Sequence, residues 1–176
     1  MVKKSIFKYD FVQDFLTNNG GQLAMPLIAK YYLSDGFSDE DVAKKLKLKV
    51  TEIRTALNRL HYKGIVEYAR KKNKNTGWYS YTWKINNKKI LEYLIKDKQE
   101  EITKLTKEIE KMQDYCFFSC EKGCSEAVFE IASQYNFICP DCGKEMNSLD
   151  SNVRIKKTKK RINEAENIVK EFKKMS

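Results

Sequence analysis

The sequence predicts an α+β fold that is mostly α. Three observations predict it. Helical patterns fill the first sixty residues and then give way to two runs of alternating strand character, the order of a helix-turn-helix followed by a β-hairpin. Two later stretches, 87–114 and 151–176, carry long narrow apolar stripes. Five cysteines lie between 116 and 142, outside both stripes. The expected parts are a winged helix-turn-helix domain over 1–86, a long linker helix over 87–114, a small four-cysteine zinc ribbon over 115–150 and a basic C-terminal helix over 151–176.

The helices come first. "TNNGGQ" (17–22) reads as a turn. In "SDGFSDED" (34–41), Gly36 is a helix stop and Ser38 an N-cap with Asp41 as capping-box partner. Phe37 is placed to staple onto Val42 across that cap. "DEDVAKKLKL" then puts Val42, Ala43 and Leu46 on one face. "VTEIRTALNRLHYKG" puts Ile53, Leu57 and Leu60 at i, i+4 and i+7, and Gly64 ends that helix. Its polar face offers Arg54, Asn58 and His61. Arg and Asn can hydrogen-bond base edges, but such a face is equally often solvated or a protein contact. His61 is expected to sit at the helix end rather than act as a switch.

The hairpin follows. "GIVEYAR" is a strand, "KKNKNTG" a polar turn and "WYSYTWKI" a second strand. Helices and hairpin together make a winged helix, and the hairpin is its wing. Arg70, Lys71, Lys72 and Lys74 line the turn, with no acid between Tyr68 and Trp83. Cations in that pattern suit phosphates. Trp78 and Tyr79, nearest the tip, are candidates to stack on an unpaired base. Trp83 is expected in the core.

In the long helix, Leu91, Ile95, Lys98, Ile102, Leu105, Ile109 and Met112 alternate spacings of four and three, and Lys98 interrupts the stripe. Ile155, Thr158, Ile162, Ala165, Val169 and Phe172 repeat the pattern. Each stripe is too narrow to bury itself, so the two helices should pair or dock on a partner. "RIKKTKKR" (154–161) is a charge run that water alone can satisfy.

Composition narrows the function. The chain has 176 residues, 33% of them charged, with a mean hydropathy of −0.64. No apolar run approaches the ~20 residues of a membrane span. The start is too polar for a secretory signal peptide, so an intracellular, cytoplasmic protein is expected, without membrane contact. Net charge is +10, unevenly spread. Residues 1–89 hold 18 Lys and Arg against 8 Asp and Glu, whereas 115–150 hold 2 against 6. A basic front suits a polyanion, and the acidic middle must serve another purpose. With His61 the single histidine, little room is left for His-based catalysis, and no enzymatic activity is expected.

Clustered cysteines in an intracellular chain point to metal before disulfides. "CPDCG" (139–143) has two thiolates two residues apart with a glycine just after, the form of a zinc knuckle. Cys116, Cys120 and Cys124 compete for the other two places. Gly123 gives the Cys120–Cys124 loop a tight turn, which selects those two. Cys116, before "FF", is expected to pack as a small apolar group. The ligand set is then Cys120, Cys124, Cys139 and Cys142, for one structural Zn²⁺, the usual metal of a closed four-thiolate site. A ribbon this small needs the metal to fold.

The ordered chain resembles the archaeal transcription factor E family, the counterpart of the alpha subunit of general transcription factor IIE. The residues that carry the resemblance are "DEDVAKKLKLKVTEIRTALNRLHYKGIV", "TGWYSYTWKIN" and "FFSC…C…F…A…YNFICPDCG", the last with Phe129, Ala132 and Phe137 at family-like positions. One departure is "CEKGC", where the family commonly has CxxC. The resemblance implies a general initiation factor. It would bind RNA polymerase at the clamp and stalk, in a complex with TATA-binding protein and transcription factor B. It would favour promoter opening, with the wing near the non-template strand of promoter DNA. The alternative is a sequence-specific winged-helix regulator whose cysteine cluster senses metal or redox state. A nucleic-acid-modifying zinc enzyme would need an acid–base pair that the ribbon does not offer.

Overall fold

The structure is a computed structural model that describes residues 6–72, 74 and 77–175. The chain divides into two compact units, one running up to Lys96 and including the residues from Glu171 on, the other spanning Asp97–Lys170. The α+β, mostly helical class read from the sequence is what is found.

The first unit contains α1 (Asp10–Gly20), α2 (Ala24–Tyr31), β1 (Phe37–Ser38), α3 (Asp39–Leu46), α4 (Val50–Tyr62), β2 (Val66–Lys72) and β3 (Tyr79–Ile85). Leu16, Leu27, Ile28, Val42, Ile53, Leu57, Leu60 and Trp83 are buried and form its core. The turn between α1 and α2 depends on glycine for two reasons. A Cβ on Gly20 would lie 2.6 Å from the Ala24 Cβ, and Gly21 has φ +83°. Gly64, at φ 70°, ends α4, and the Gly64 and Ile65 N–H groups donate to the carbonyls of His61 and Leu60. At the other end of α4, the Glu52 carboxylate accepts from the Lys49 N–H at 3.0 Å.

The sheet has three antiparallel strands in the order β1-β3-β2. β1 was not expected. Ser38 does precede a helix, but its hydroxyl makes no capping bond. Its extended backbone pairs with Thr82 instead, and Phe37 pairs with Trp83. The Phe37 ring stacks on Tyr31 at 4.4 Å. Two residues cannot show alternation, and an N-cap is also extended, so the strand reads as a cap in sequence.

α5 (Asn87–Asp114) starts where the Asn86 side chain caps it, accepting the Lys89 N–H at 3.0 Å. Ile90, Leu91 and Leu94 bury in the first unit. So does Phe172, near the end of α7 (Ser151–Met175), with its ring 5.6 Å from Tyr9 and 6.1 Å from Phe11. Beside it, Glu171 accepts hydrogen bonds from the Tyr9 hydroxyl at 2.6 Å and from Lys8 Nζ at 3.2 Å.

The second unit holds β4 (Phe117–Cys120), β5 (Glu126–Val128), α6 (Phe129–Gln134) and β6 (Met146–Ser148), in a sheet ordered β5-β4-β6. In it Leu105, Ile109 and Met112 of α5 and Thr158, Ala165 and Val169 of α7 are buried, so both stripes face inward. Arg161 of α7 lies 3.6 Å from Glu101 of α5. Lys98, the interruption in the stripe, is half-buried and donates to Glu101 at 2.7 Å.

Candidate metal centre and nucleic-acid interface

Two turns build the cysteine cluster. In the first, the Gly123 N–H donates to the Cys120 carbonyl at 2.8 Å, and in the second the Gly143 N–H donates to the Cys139 carbonyl at 2.9 Å. Gly123 has φ 71° and Gly143 φ 69°, and no atom lies within 4 Å of where a Cβ would stand. Backbone conformation, not space, is what demands glycine there. The antiparallel β4 and β6 bring the turns together, with Cys120 opposite Met146. Phe118, Phe129 and Phe137 form a ring cluster with centroids 4.8 to 6.1 Å apart, and Ala132 is buried.

The sulfurs of Cys120, Cys124, Cys139 and Cys142 all lie within 4.8 Å of one another. Cys120 and Cys142 are 3.4 Å apart. The sulfurs of a tetrahedral zinc–thiolate site stand about 3.8 Å apart for a Zn–S bond of about 2.3 Å. An all-thiol donor set at this spacing fits a soft divalent metal, and the four residues could hold one ion. Electrostatics lead the same way. The Ser125 hydroxyl, 3.2 Å from the Cys139 sulfur, pulls that thiol down to about 7, helped by the N–H groups of Asp141 and Cys142. The hydrogen bond to Cys142, with burial and Cys120, pushes Cys124 up to about 12. Crowded thiols cannot all ionise without a cation to hold their charge. Nothing in the sequence signalled Ser125, because its contact depends on the pairing of the turns.

Cys116 stands apart from the cluster. It is exposed, ahead of β4, rather than packed as a small apolar group. Its carbonyl accepts the Phe129 N–H at 2.8 Å.

On the wing, Arg70, Lys71 and Lys72 lie on β2 and are exposed, as is Lys74 in the turn. Asn73, Asn75 and Thr76 of the expected turn lie outside the described residues. Trp78 is 79% exposed and Tyr79 46%, whereas Trp83 is 1% exposed. Lys72 pairs with Tyr79 and Arg70 with Tyr81. The Arg70 guanidinium stands 5.4 Å from the Tyr79 ring centre and the Lys72 ammonium 6.0 Å. The structure therefore gathers Arg70, Lys72 and Tyr79 and sets Lys71 on the other face.

The polar face of α4 is occupied. Arg54 Nε donates to Asp39 Oδ2 at 2.7 Å, and its guanidinium lies 5.0 Å from the Tyr81 ring centre. His61 Nδ1–H donates to the Val66 carbonyl at 2.9 Å, and its ring lies 4.9 Å from Tyr68. Neither side chain is available to read base edges. Asp39 looked like an ordinary acid in a first helical turn, so the pair left no mark in the sequence.

Among the described residues, no helix is long and apolar enough to cross a membrane. Comparison with known proteins agrees with the winged helix and the ribbon. Residues 11–114 match the family described as the TFIIE alpha subunit. Transcription factor E of Methanobrevibacter smithii is 36% identical over 141 residues, covering 80% of this chain and 82% of the relative. The Thermococcus kodakarensis protein of the same name is 30% identical over 84% of this chain and 80% of its own. That of Metallosphaera sedula is 39% identical over 65% of each. The chain belongs to the TFIIE alpha subunit family, the general transcription initiation factors that in archaea are called transcription factor E.

Proposed function

We propose that the chain binds RNA polymerase, at the clamp and stalk, and promotes or stabilises promoter opening. It works in the cytoplasm, beside TATA-binding protein and transcription factor B, without catalysing a reaction. Arg70, Lys71, Lys72, Lys74, Trp78 and Tyr79 meet the non-template strand of the opened promoter. The working parts are residues 1–86, 87–114, 115–150 and 151–176. The observation that carries the reading is the chemistry of the wing. An indole that is 79% exposed stands with exposed cations, in a family of initiation factors. Exposed rings stack on unpaired bases without sequence preference, and cations hold phosphates.

Cys120, Cys124, Cys139 and Cys142 would hold one structural Zn²⁺. That ion supplies cross-linking of two turns whose own core is small. Ser125 stabilises the ionised Cys139 sulfur, and the turn N–H groups orient the thiolates. The ribbon so fixed presents its surface to the polymerase.

A pull-down against RNA polymerase, without any operator sequence, tests the main claim, and association is the expected result. Tight binding to one short palindrome without polymerase contact would overturn it. Trp78→Ala or Lys72→Ala should weaken stimulation at promoters that open poorly, with the fold unchanged. Full stimulation by both variants would remove the wing from the mechanism.

A further inference from the structure

The register of the wing sorts its side chains into two chemically different faces. Tyr68 lies opposite Trp83, Arg70 opposite Tyr81 and Lys72 opposite Tyr79. Side chains alternate along a strand, so these six share one face. Ala69, Lys71, Ser80 and Thr82 share the other.

The first face is a ladder of rings. Tyr68 lies 5.1 Å from Trp83 and 5.5 Å from Tyr81, and His61 of α4 extends the series at 4.9 Å from Tyr68. Cations stand against the outer rings, Arg54 at 5.0 Å from Tyr81 and Arg70 at 5.4 Å from Tyr79. The core accounts for Trp83, which is buried, but not for Tyr68 and Tyr79, which are 42% and 46% exposed. The second face carries no aromatic side chain from β2 or from β3.

An open series of rings with cations and no carboxylate suits one ligand chemistry. Rings stack on the π-faces of unpaired bases, and cations hold phosphates. A duplex hides those π-faces and offers only base edges. Rungs two residues apart on a strand are spaced about 6.7 Å. That is about twice the 3.4 Å step of stacked bases, so adjacent rungs leave room for one base between them.

We propose that the face running from Tyr68 through Tyr81 to Tyr79, with Arg70 and Lys72, is a stacking platform for the unpaired bases of single-stranded nucleic acid. The inference rests on the reading that the wing meets melted promoter strand. It adds Tyr68 and Tyr81 to the contact set and ranks the two faces of the hairpin.

Binding of the full chain to a short labelled oligothymidylate at low salt, followed by fluorescence anisotropy, tests it. Arg70→Gln and Lys71→Gln remove the same charge from adjacent exposed positions on opposite faces. Arg70→Gln should weaken binding more than Lys71→Gln does. Tyr68→Leu should weaken it about five-fold or more, the range of one lost base stack. Equal losses from the two charge variants with no loss from Tyr68→Leu would overturn the platform. If the chain still associated with polymerase in that case, the wider reading would stand. The ladder pattern in a chain that ignores polymerase would support the platform and overturn the wider reading. If Tyr68→Leu fails to fold, the comparison of Arg70→Gln with Lys71→Gln decides alone.

Discussion

Arg54 Nε sits 2.7 Å from Asp39 Oδ2, and the Asp39 side chain is 1% exposed while Arg54 is 38% exposed. A carboxylate at the start of α3 is thus held by a cation on α4, which in turn lies over the Tyr81 ring of the wing. The hydrogen bond to Asp39 raises the Arg54 pKa further above its ordinary value, so the pair stays charged. Arg54→Ala should destabilise the chain by about 2–4 kcal/mol, because it leaves a buried carboxylate without its partner. Urea denaturation measures this. Replacing both residues together, as Asp39→Asn with Arg54→Met, should cost less than Arg54→Ala alone.

The two tryptophans should separate stability from function. Trp83 is buried against β1 and β2, so Trp83→Ala should cost about 3–5 kcal/mol. Trp78 is 79% exposed, and Trp78→Ala should change stability by no more than about 0.5 kcal/mol. Thermal unfolding of the two variants checks the contrast.

Metal content should follow the sulfur geometry. Cys139→Ser should lower zinc per chain and unfold the ribbon, because one of the clustered sulfurs is gone. Cys116→Ser, at an exposed position outside the cluster, should leave zinc per chain unchanged. Elemental analysis of the purified variants decides. A strong chelator should likewise loosen the ribbon while the helical signal in circular dichroism persists.

Acid should weaken the second unit through Glu101. The hydrogen bond from Lys98 holds its carboxyl below the ordinary value of 4.5, with Arg161 adding to the effect against opposing burial. A carboxylate depressed in the folded state stabilises above its unfolded pKa, and that contribution fades as pH falls through the folded value. The stabilisation should be complete above about pH 5 and be lost on further acidification. The pair is partly exposed, so less than about 1 kcal/mol is involved. Lys98→Met should flatten this part of the stability profile, as denaturation at a series of pH values would reveal.

Residues close in sequence were the readable ones. Ile53, Leu57 and Leu60 lie within two turns of one helix, Gly64 closes it, and Cys139 to Gly143 form a single turn. Trp83 as core followed from its place at the base of a strand. Contacts that depend on distant pairing were silent. The Tyr9–Glu171 hydrogen bond joins residues 162 apart, and no local pattern foretells it. β1 was hidden because Ser38 satisfies two descriptions at once, an extended cap and an extended strand. Asp39 was hidden because its partner lies on another helix. Cys116 misled because a residue just before a strand need not share the burial of that strand.

The order β1-β3-β2 leaves the outer edge of β2 without a neighbouring strand. A bare strand edge invites other chains to add to the sheet, and Lys and Arg side chains there discourage it. Arg70, Lys71 and Lys72 occupy that rim, so the residues read as phosphate ligands also act as guards against self-assembly. A wing stripped of its positive charge would accordingly be prone to clumping as well as weak on nucleic acid, and solubility would have to be measured before any loss of activity is blamed on the promoter.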